Sequence, residues 1–286
     1  MNLSIKNLNK KYSNKFAALT DINLELTEGT FGLLGPNGAG KSSLMRTIAT
    51  LQTQSSGTID FDGTNIFDDV VKYKSKLGYL PQEFGVYDNM TGYQTLDYFA
   101  QLSGYSNRKE RHNVISTLLE QVNLKADAKR YVKNYSGGMK QRIGIAIALL
   151  NDPDILIVDE PTAGLDPQER IRFLNILTSL GKPRITILST HIVADVADLC
   201  DRIGILKNGQ LKIVATPQEA LNQLKGKIYR GSAKLDIVGE QLLLVQKNID
   251  TVYVQDIYSD IDPGPEYAPV TVNLEHVYFY HINKFN

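Results

Sequence analysis

One run of residues constrains this chain more than any other: Gly35, Pro36, Asn37, Gly38, Ala39, Gly40, Lys41 and Ser42. It fits the pattern of a glycine-rich loop, ending in a lysine and a hydroxyl, that joins a buried strand to a helix. The flanks supply that context. Thr30, Phe31, Gly32, Leu33 and Leu34 form a short apolar run fit for a buried strand, and from 41 to 51 the pattern becomes helical. The glycines let the backbone bend so that successive N–H groups converge on phosphate oxygens, and the following helix adds its free N–H groups and positive dipole end. Lys41, with Ser42 and Ser43 beside it, opens that helix. The lysine brings a point charge to β- and γ-phosphates, and the Ser42 hydroxyl suits Mg²⁺. Such a loop predicts an α/β chain with a P-loop core that binds a nucleoside triphosphate.

The rest of the pattern agrees. Leu3, Ile5 and Leu8, then Ile22, Leu24 and Leu26, read as strands, as do 58–61 and 77–80. Between about 87 and 150 strand signals vanish, and apolar residues recur at helical spacing through Leu96, Phe99 and Leu102 and through Val114, Leu118, Leu119 and Val122. We read this stretch as a helical subdomain inserted in the core. Alternation then returns, with strands at 155–158, 185–188 and 203–206 and helices at 168–180 and 192–199. Apolar strands alternating with helices predict a mainly parallel sheet covered on both faces. The core is thus expected over 1–225. Residues 226–286, rich in tyrosine, read as a small appended C-terminal domain. In it Val252 and Val254 alternate like a strand, Pro263, Gly264 and Pro265 mark a loop, and Leu274, Val277 and Tyr278 share a helix face.

A second constellation follows an apolar strand. Ile155, Leu156, Ile157 and Val158 end in Asp159 and Glu160. Strand C-termini of a parallel sheet are where a P-loop must also lie. Asp159 suits the Mg²⁺ shell through water, and Glu160 suits a general base that polarises the attacking water. Alternation along the strand points the two carboxylates apart, which separates the roles.

A third run, Ser136, Gly137, Gly138, Met139, Lys140, Gln141 and Arg142, resembles the signature of ABC ATPases, with Tyr135 and Met139 departing from its usual core at variable positions. Ser-Gly-Gly opening a helix is at once an ordinary serine cap and a second anion site. The family's other landmarks appear in order. Tyr12 resembles the aromatic residue that stacks on adenine. Gln82 resembles the Q-loop glutamine that touches Mg²⁺ and reports to the membrane subunit. Asp166, after Gly164 and Leu165, resembles the D-loop that crosses a dimer interface, and His191 resembles the switch histidine at the γ-phosphate. The resemblance implies an ATPase whose two subunits pack head to tail. Each ATP then lies between the P-loop of one chain and Ser136, Gly137, Gly138 and Met139 of the other.

The wording around Gln82, Ser136 and Asp166 is similar to the ABC-2 class of exporters. That implies a second nucleotide-binding subunit, as homodimer or heterodimer, and a separately encoded integral membrane permease. The chain would sit on the inner face of the cell membrane through that permease. An import ATPase shares every catalytic motif and remains open. A chromosome-maintenance ABC protein would need a long coiled coil between loop and signature, but Lys41 and Ser136 are only 95 positions apart (136 − 41). A translation-type factor would carry two cassettes, and a dead homologue would lack Lys41, Glu160 or His191. Lys+Arg and Asp+Glu both total 31, so bulk charge gives no footprint for nucleic acid. The lone Cys200 excludes an internal disulfide and suits a reducing compartment. No apolar run approaches the roughly 20 residues of a bilayer span.

Overall fold

The computed structural model describes residues 1–13, 16–180, 183–232, 236–237, 241–249 and 252–284. The chain opens with β1 (Asn2–Lys11) and β2 (Ala17–Thr27), whose alternate residues are buried, as one covered sheet face requires. They pair antiparallel, with Leu3 opposite Leu26 and Ile5 opposite Leu24. β3 (Gly29–Leu34) is buried at four successive residues because both its faces are covered. After the glycine-rich turn, α1 (Lys41–Ile48) presses Leu44, Met45 and Ile48 into the core. β4 (Ser56–Phe61) returns beside β1 and carries the short β5 (Thr64–Asn65). Together these strands form an antiparallel sheet in the order β2-β1-β4-β5. The alternation in 1–27 signalled strands but not this separate sheet. The short link from β1 to β2 favours an antiparallel pair, since a parallel one needs a long crossover.

α2 (Val70–Lys74) leads into β6 (Leu77–Leu80). Three helices then replace the strands: α3 (Gly92–Leu102), α4 (Arg108–Gln121) and α5 (Gly137–Ala148). Each starts at a side-chain cap that satisfies otherwise orphaned N–H groups: Thr91 with Gln94 in a capping box, Asn107, and Ser136. The α/β pattern resumes with β7 (Ile155–Asp159), α6 (Pro167–Thr178), β8 (Ile185–Thr190), α7 (Val193–Ala197), β9 (Arg202–Lys207) and β10 (Gln210–Ala215). β6, β7, β8, β3 and β9 are parallel, and β10 closes the edge antiparallel, giving the order β10-β9-β3-β8-β7-β6. α7 is shorter than its apolar pattern predicts. Asp201 ends the helical path by pairing both ways with Thr30: its N–H donates to the Thr30 carbonyl, and its carboxylate accepts the Thr30 N–H at 2.8 Å. That draws the chain into β9 beside β3.

Beyond α8 (Pro217–Gln223) lie β11 (Ile228–Ser232), β12 (Leu242–Ile249), β13 (Val252–Tyr258), β14 (Ala268–Pro269) and α9 (Leu274–Asn283). The strands form an antiparallel sheet in the order β12-β13-β11-β14. α9 buries Leu274, Val277 and Tyr278, the face its sequence predicts, and packs on α7, α8, β9 and β12. One buried carboxylate pins this unit. Asp256 of β13 accepts a bidentate pair from Arg230 of β11 at 2.6 and 2.8 Å and lies 2.9 Å from Lys247 of β12 and 3.1 Å from His276 of α9. Burial alone would raise its pKa, but these donors outweigh burial and hold it well below the usual carboxylate range.

His281, on the same helix, has the opposite standing. It is buried, and neither ring nitrogen has a hydrogen-bond partner among the described residues. Desolvation, helped by the charge of Lys284, pushes its pKa down to about 4 from 6.5. The folded chain therefore binds fewer protons than the unfolded one between those values. Stability is fully present above pH 6.5 and falls as pH drops toward 4, by up to about 1 kcal/mol per unit. In thermal melts between pH 7 and 4.5, His281→Leu should lose less stability than wild type on acidification. Parallel losses in the two proteins would refute this role for His281.

Candidate nucleotide site

The geometry starts with register. Leu34 pairs with Thr190 across β3 and β8, and Asp159 pairs with Ser189 across β7 and β8. Gly35, Glu160 and His191 therefore leave the sheet at one level on one edge. Leu80 pairs with Val158, so the loop bearing Gln82 departs from the same edge.

The turn from 35 to 40 wraps a cavity of about 210 Å³ lined by Phe16, Ala18, residues 37–43 and Glu160. Gly38 and Gly40 have φ of 79° and 107°, which side chains disfavour. Lys41 is buried at the cavity floor. Its Nζ donates to the carbonyls of Gly35 at 2.8 Å and Pro36 at 3.2 Å and lies 3.0 Å from Glu160 Oε1. Two buried charges survive here because each is paired and hydrogen-bonded. Ser42 and Ser43 are half-buried at the start of α1.

Asp159 and Glu160 diverge, but a turn rather than strand alternation separates them, because β7 ends at Asp159. Asp159 is buried and accepts the Ser189 hydroxyl hydrogen. Glu160 adopts a left-handed φ of 47°, and its N–H donates to the Ser189 carbonyl and Oγ at 3.1 Å each. This turn sends the Glu160 side chain back over the loop, with Oε1 toward Lys41 and Oε2 3.2 Å from His191 Nδ1. Lys41, Glu160 and His191 thus form one contiguous row.

Comparison places the chain among known proteins. The ABC transporter family pattern matches residues 19–163. The linearmycin resistance ATP-binding protein LnrL of Bacillus subtilis is 34% identical over 290 residues, covering 98% of this chain and 92% of that protein. This chain belongs to the ABC transporter family, as an ATP-binding subunit. The daunorubicin resistance ATP-binding protein DrrA3 of Streptomyces coeruleorubidus is 30% identical over 96% of the chain and 84% of its own length. Among solved structures, the dimer of MJ0796, a bacterial ABC transporter cassette, superposes with a TM-score of 0.68 at 26% identity, covering 75% of this chain and 98% of that one.

The remaining landmarks of this ABC chain lie apart from the cavity. Ser136 caps α5 by accepting the Met139 N–H at 3.1 Å; Ser136 and Gly137 are exposed, while Gly138 and the Met139 side chain are buried. A Cβ on Gly138 would fall 2.1 Å from Glu169 Oε2, so a larger residue here would have to push the Glu169 side chain aside. Asp166 is exposed and caps α6 through the Glu169 N–H at 2.9 Å. Gln82 is exposed. None of Gln82, Ser136, Gly137, Gly138, Met139 or Asp166 lines the cavity of its own chain. Tyr12 is also outside it. The Tyr12 hydroxyl sits 3.1 Å from Ser43 Oγ and donates to Gln52 at 3.0 Å, and its half-exposed ring lies under Lys10.

Sequence reading passed over Ser189, Gln52 and Phe16. Ser189 meets Glu160 and Asp159 across 29 and 30 positions, and Gln52 meets Tyr12 across 40, which no local spacing signals. Phe16 is the aromatic that lines the cavity, four residues past the tyrosine that drew attention. Cys200 is buried, and desolvation pushes its thiol up to about 12, so it is a packing group. Among the described residues no His, Cys, Asp or Glu cluster is built to hold a metal. Of the residues expected to hold Mg²⁺, Ser42 lines the cavity, while Asp159 and Gln82 do not.

Gly40 provides a direct check on the cradle. An added Cβ there would lie 2.5 Å from the Ala18 carbonyl oxygen, at a φ of 107°. Both are backbone constraints without a flexible escape. Gly40→Ala should cost about 1–3 kcal/mol in denaturant unfolding. An unchanged midpoint would mean the turn is not held this way.

Proposed function

We propose that the chain is the ATP-hydrolysing subunit of an exporter, working as one of two nucleotide-binding subunits beneath a separate membrane permease. The observation that carries the reading is the buried Lys41–Glu160 pair, 3.0 Å apart in the floor of a glycine-rich cavity, with the Ser136 helix start exposed elsewhere. One chain offers two half-sites, and a second chain packed head to tail would join them.

In this reading ATP phosphates take the place of Glu160 on Lys41, with the N–H groups of 38–43 as further donors. Tyr12 and Phe16 flank the base. Glu160, released from the lysine, accepts a proton from the water that attacks the γ-phosphorus; the β–γ bridge bond breaks, and ADP and phosphate leave. His191 keeps Glu160 oriented and reaches the γ-phosphate. Ser42, Asp159 through water, and Gln82 would hold Mg²⁺, which neutralises phosphate charge. Ser136, Gly137, the Gly138 and Met139 backbone, and Asp166 act on the partner's nucleotide.

Export, rather than import, is supported by the resistance and multidrug names of similar proteins, including the probable multidrug ABC transporter ATP-binding protein YbhF of Escherichia coli, 36% identical over 218 residues. Among the described residues no helix is long and apolar enough to cross a membrane. In this reading the permease holds the chain at the membrane. A cleft suited to it follows Gln82. Gly85, Val86, Tyr87, Tyr98, Phe99 and Leu102 line about 390 Å³, with Tyr87 and Leu102 exposed. An exposed aromatic cleft of this kind fits a partner's apolar helix.

Lys41→Ala should abolish tight Mg-ATP binding in calorimetry, because among the described residues no other buried cation lines the cavity; undiminished affinity would sink the assignment. Glu160→Gln should bind ATP at least as tightly as wild type, since it removes the carboxylate that competes for Lys41. Its turnover should fall by about 10²–10⁴. With the ligand unspent, mass action should hold it as a dimer on size exclusion in Mg-ATP, while wild type in ADP runs smaller. Wild-type turnover in Glu160→Gln would remove Glu160 as the base, and a monomer in saturating ATP would mean closure needs the permease.

A further inference from the structure

A buried carboxylate outside the proposed catalytic set ties the parts of that set together. Asp195 lies in α7, four residues past His191, and is 1% exposed. Its Oδ2 accepts the hydroxyl hydrogens of Thr162 at 2.7 Å and Thr190 at 3.2 Å. Its Oδ1 accepts the Nε–H of Arg170. Each donor stands at a telling place. Thr162 is two residues past Glu160. Thr190 ends β8 immediately before His191, and its Oγ1 accepts the N–H of Ile192 at 3.0 Å, so the residues on both sides of the histidine are held. Arg170 lies in the first turn of α6, whose cap is Asp166.

The same carboxylate therefore joins the segment bearing Glu160, the segment bearing His191 and the helix that begins at Asp166. A structural tie alone could have been made with apolar side chains. Replacing a buried ion pair by well-packed hydrophobic residues is often neutral or stabilising, so such a pair is weak evidence for stability by itself. What hydrogen bonds add is direction: three donors meeting one carboxylate fix three backbones relative to one another, where apolar contact would let them slide. The His191–Glu160 contact of 3.2 Å is the geometry that direction preserves.

We propose that Asp195 is a positioning residue for hydrolysis, which holds His191 against Glu160 and makes the Asp166 turn move with them. This rests on the roles proposed above for Glu160 and His191. Asp195 is 1% exposed and does not line the cavity, so it acts through Thr162, Thr190 and Arg170. ATP binding, which depends on Lys41 and the loop at 35–42, lies outside its reach.

The test uses the full chain and saturating Mg-ATP. Thr162→Val and Thr190→Val each delete one hydroxyl and leave the Asp195–Arg170 pair intact, so the fold survives. Each should lower kcat by about tenfold with KM and calorimetric ATP affinity within twofold of wild type, since displacements of an ångström suffice for losses up to about 10²-fold. Asp195→Asn should lower kcat further, to about a hundredth, again with ATP affinity kept. Turnover at the wild-type rate in both valine variants would overturn the proposal, as would losses in kcat matched by losses in ATP affinity and melting temperature, the mark of a merely structural tie. Glu160→Gln, run alongside, separates the two failures. If it is inactive while the valine variants run at full rate, the positioning role alone is lost. If it turns over normally, or wild type does not turn over at all, the catalytic reading fails and the positioning role falls with it.

Discussion

Parallel pairing of β3 with β8 and of β8 with β7 sets the level at which three chain segments leave the sheet. Leu34, Thr190 and Asp159 end their strands within one rung of each other. The glycine loop, His191 and Glu160 then have no choice but to meet. A slip of one residue in either pairing would turn every side chain to the opposite face and separate Lys41 from Glu160. The register is secured by apolar residues on both faces, because β7 and β8 are buried along their whole length. The core that stabilises the fold thus also specifies the site.

Upon this frame sits an ion pair that would be costly if either partner were lost. Lys41 and Glu160 are both almost wholly buried, and each is the other's compensation. A ligand able to replace Glu160 must bring negative charge and several acceptor oxygens into a space lined by N–H groups. Polyphosphate meets that requirement, and in the proposed reading the exchange would leave Glu160 free beside His191. The residue that compensates Lys41 would then be the one proposed to act on water. The left-handed turn at Glu160, fixed by Ser189, makes this double role geometrically possible.

The C-terminal unit is joined to the same machinery. α9 packs on α7, the short helix that follows His191, and Lys207 at the end of β9 donates to the Ile282 carbonyl. The Asp256 cluster holds α9 to its own sheet through His276. Structure added after the nucleotide core therefore bears on the helix beside the histidine.

The sequence by itself determined the local pieces: the glycine loop between strand and helix, the apolar strand ending in two carboxylates, the serine that caps α5 and the helix face of Leu274, Val277 and Tyr278. Each is set by neighbours within a few residues, through dihedral freedom, periodicity or capping, so it is legible in one line of text. Only the tertiary structure decided the separate antiparallel sheet of β2, β1, β4 and β5, the shortening of α7 by Asp201 and the pairing of Lys41 with Glu160. It alone brought Ser189 to Asp159 and Asp195 to Thr162 and Arg170, and set Phe16 rather than Tyr12 on the cavity wall. The polar ties among these join residues roughly 25 to 170 positions apart in the chain, and no local spacing encodes which buried hydroxyl or cation will reach a given carboxylate. That choice is made when the sheet closes and each buried polar group must find a partner or lose the stability it had in water.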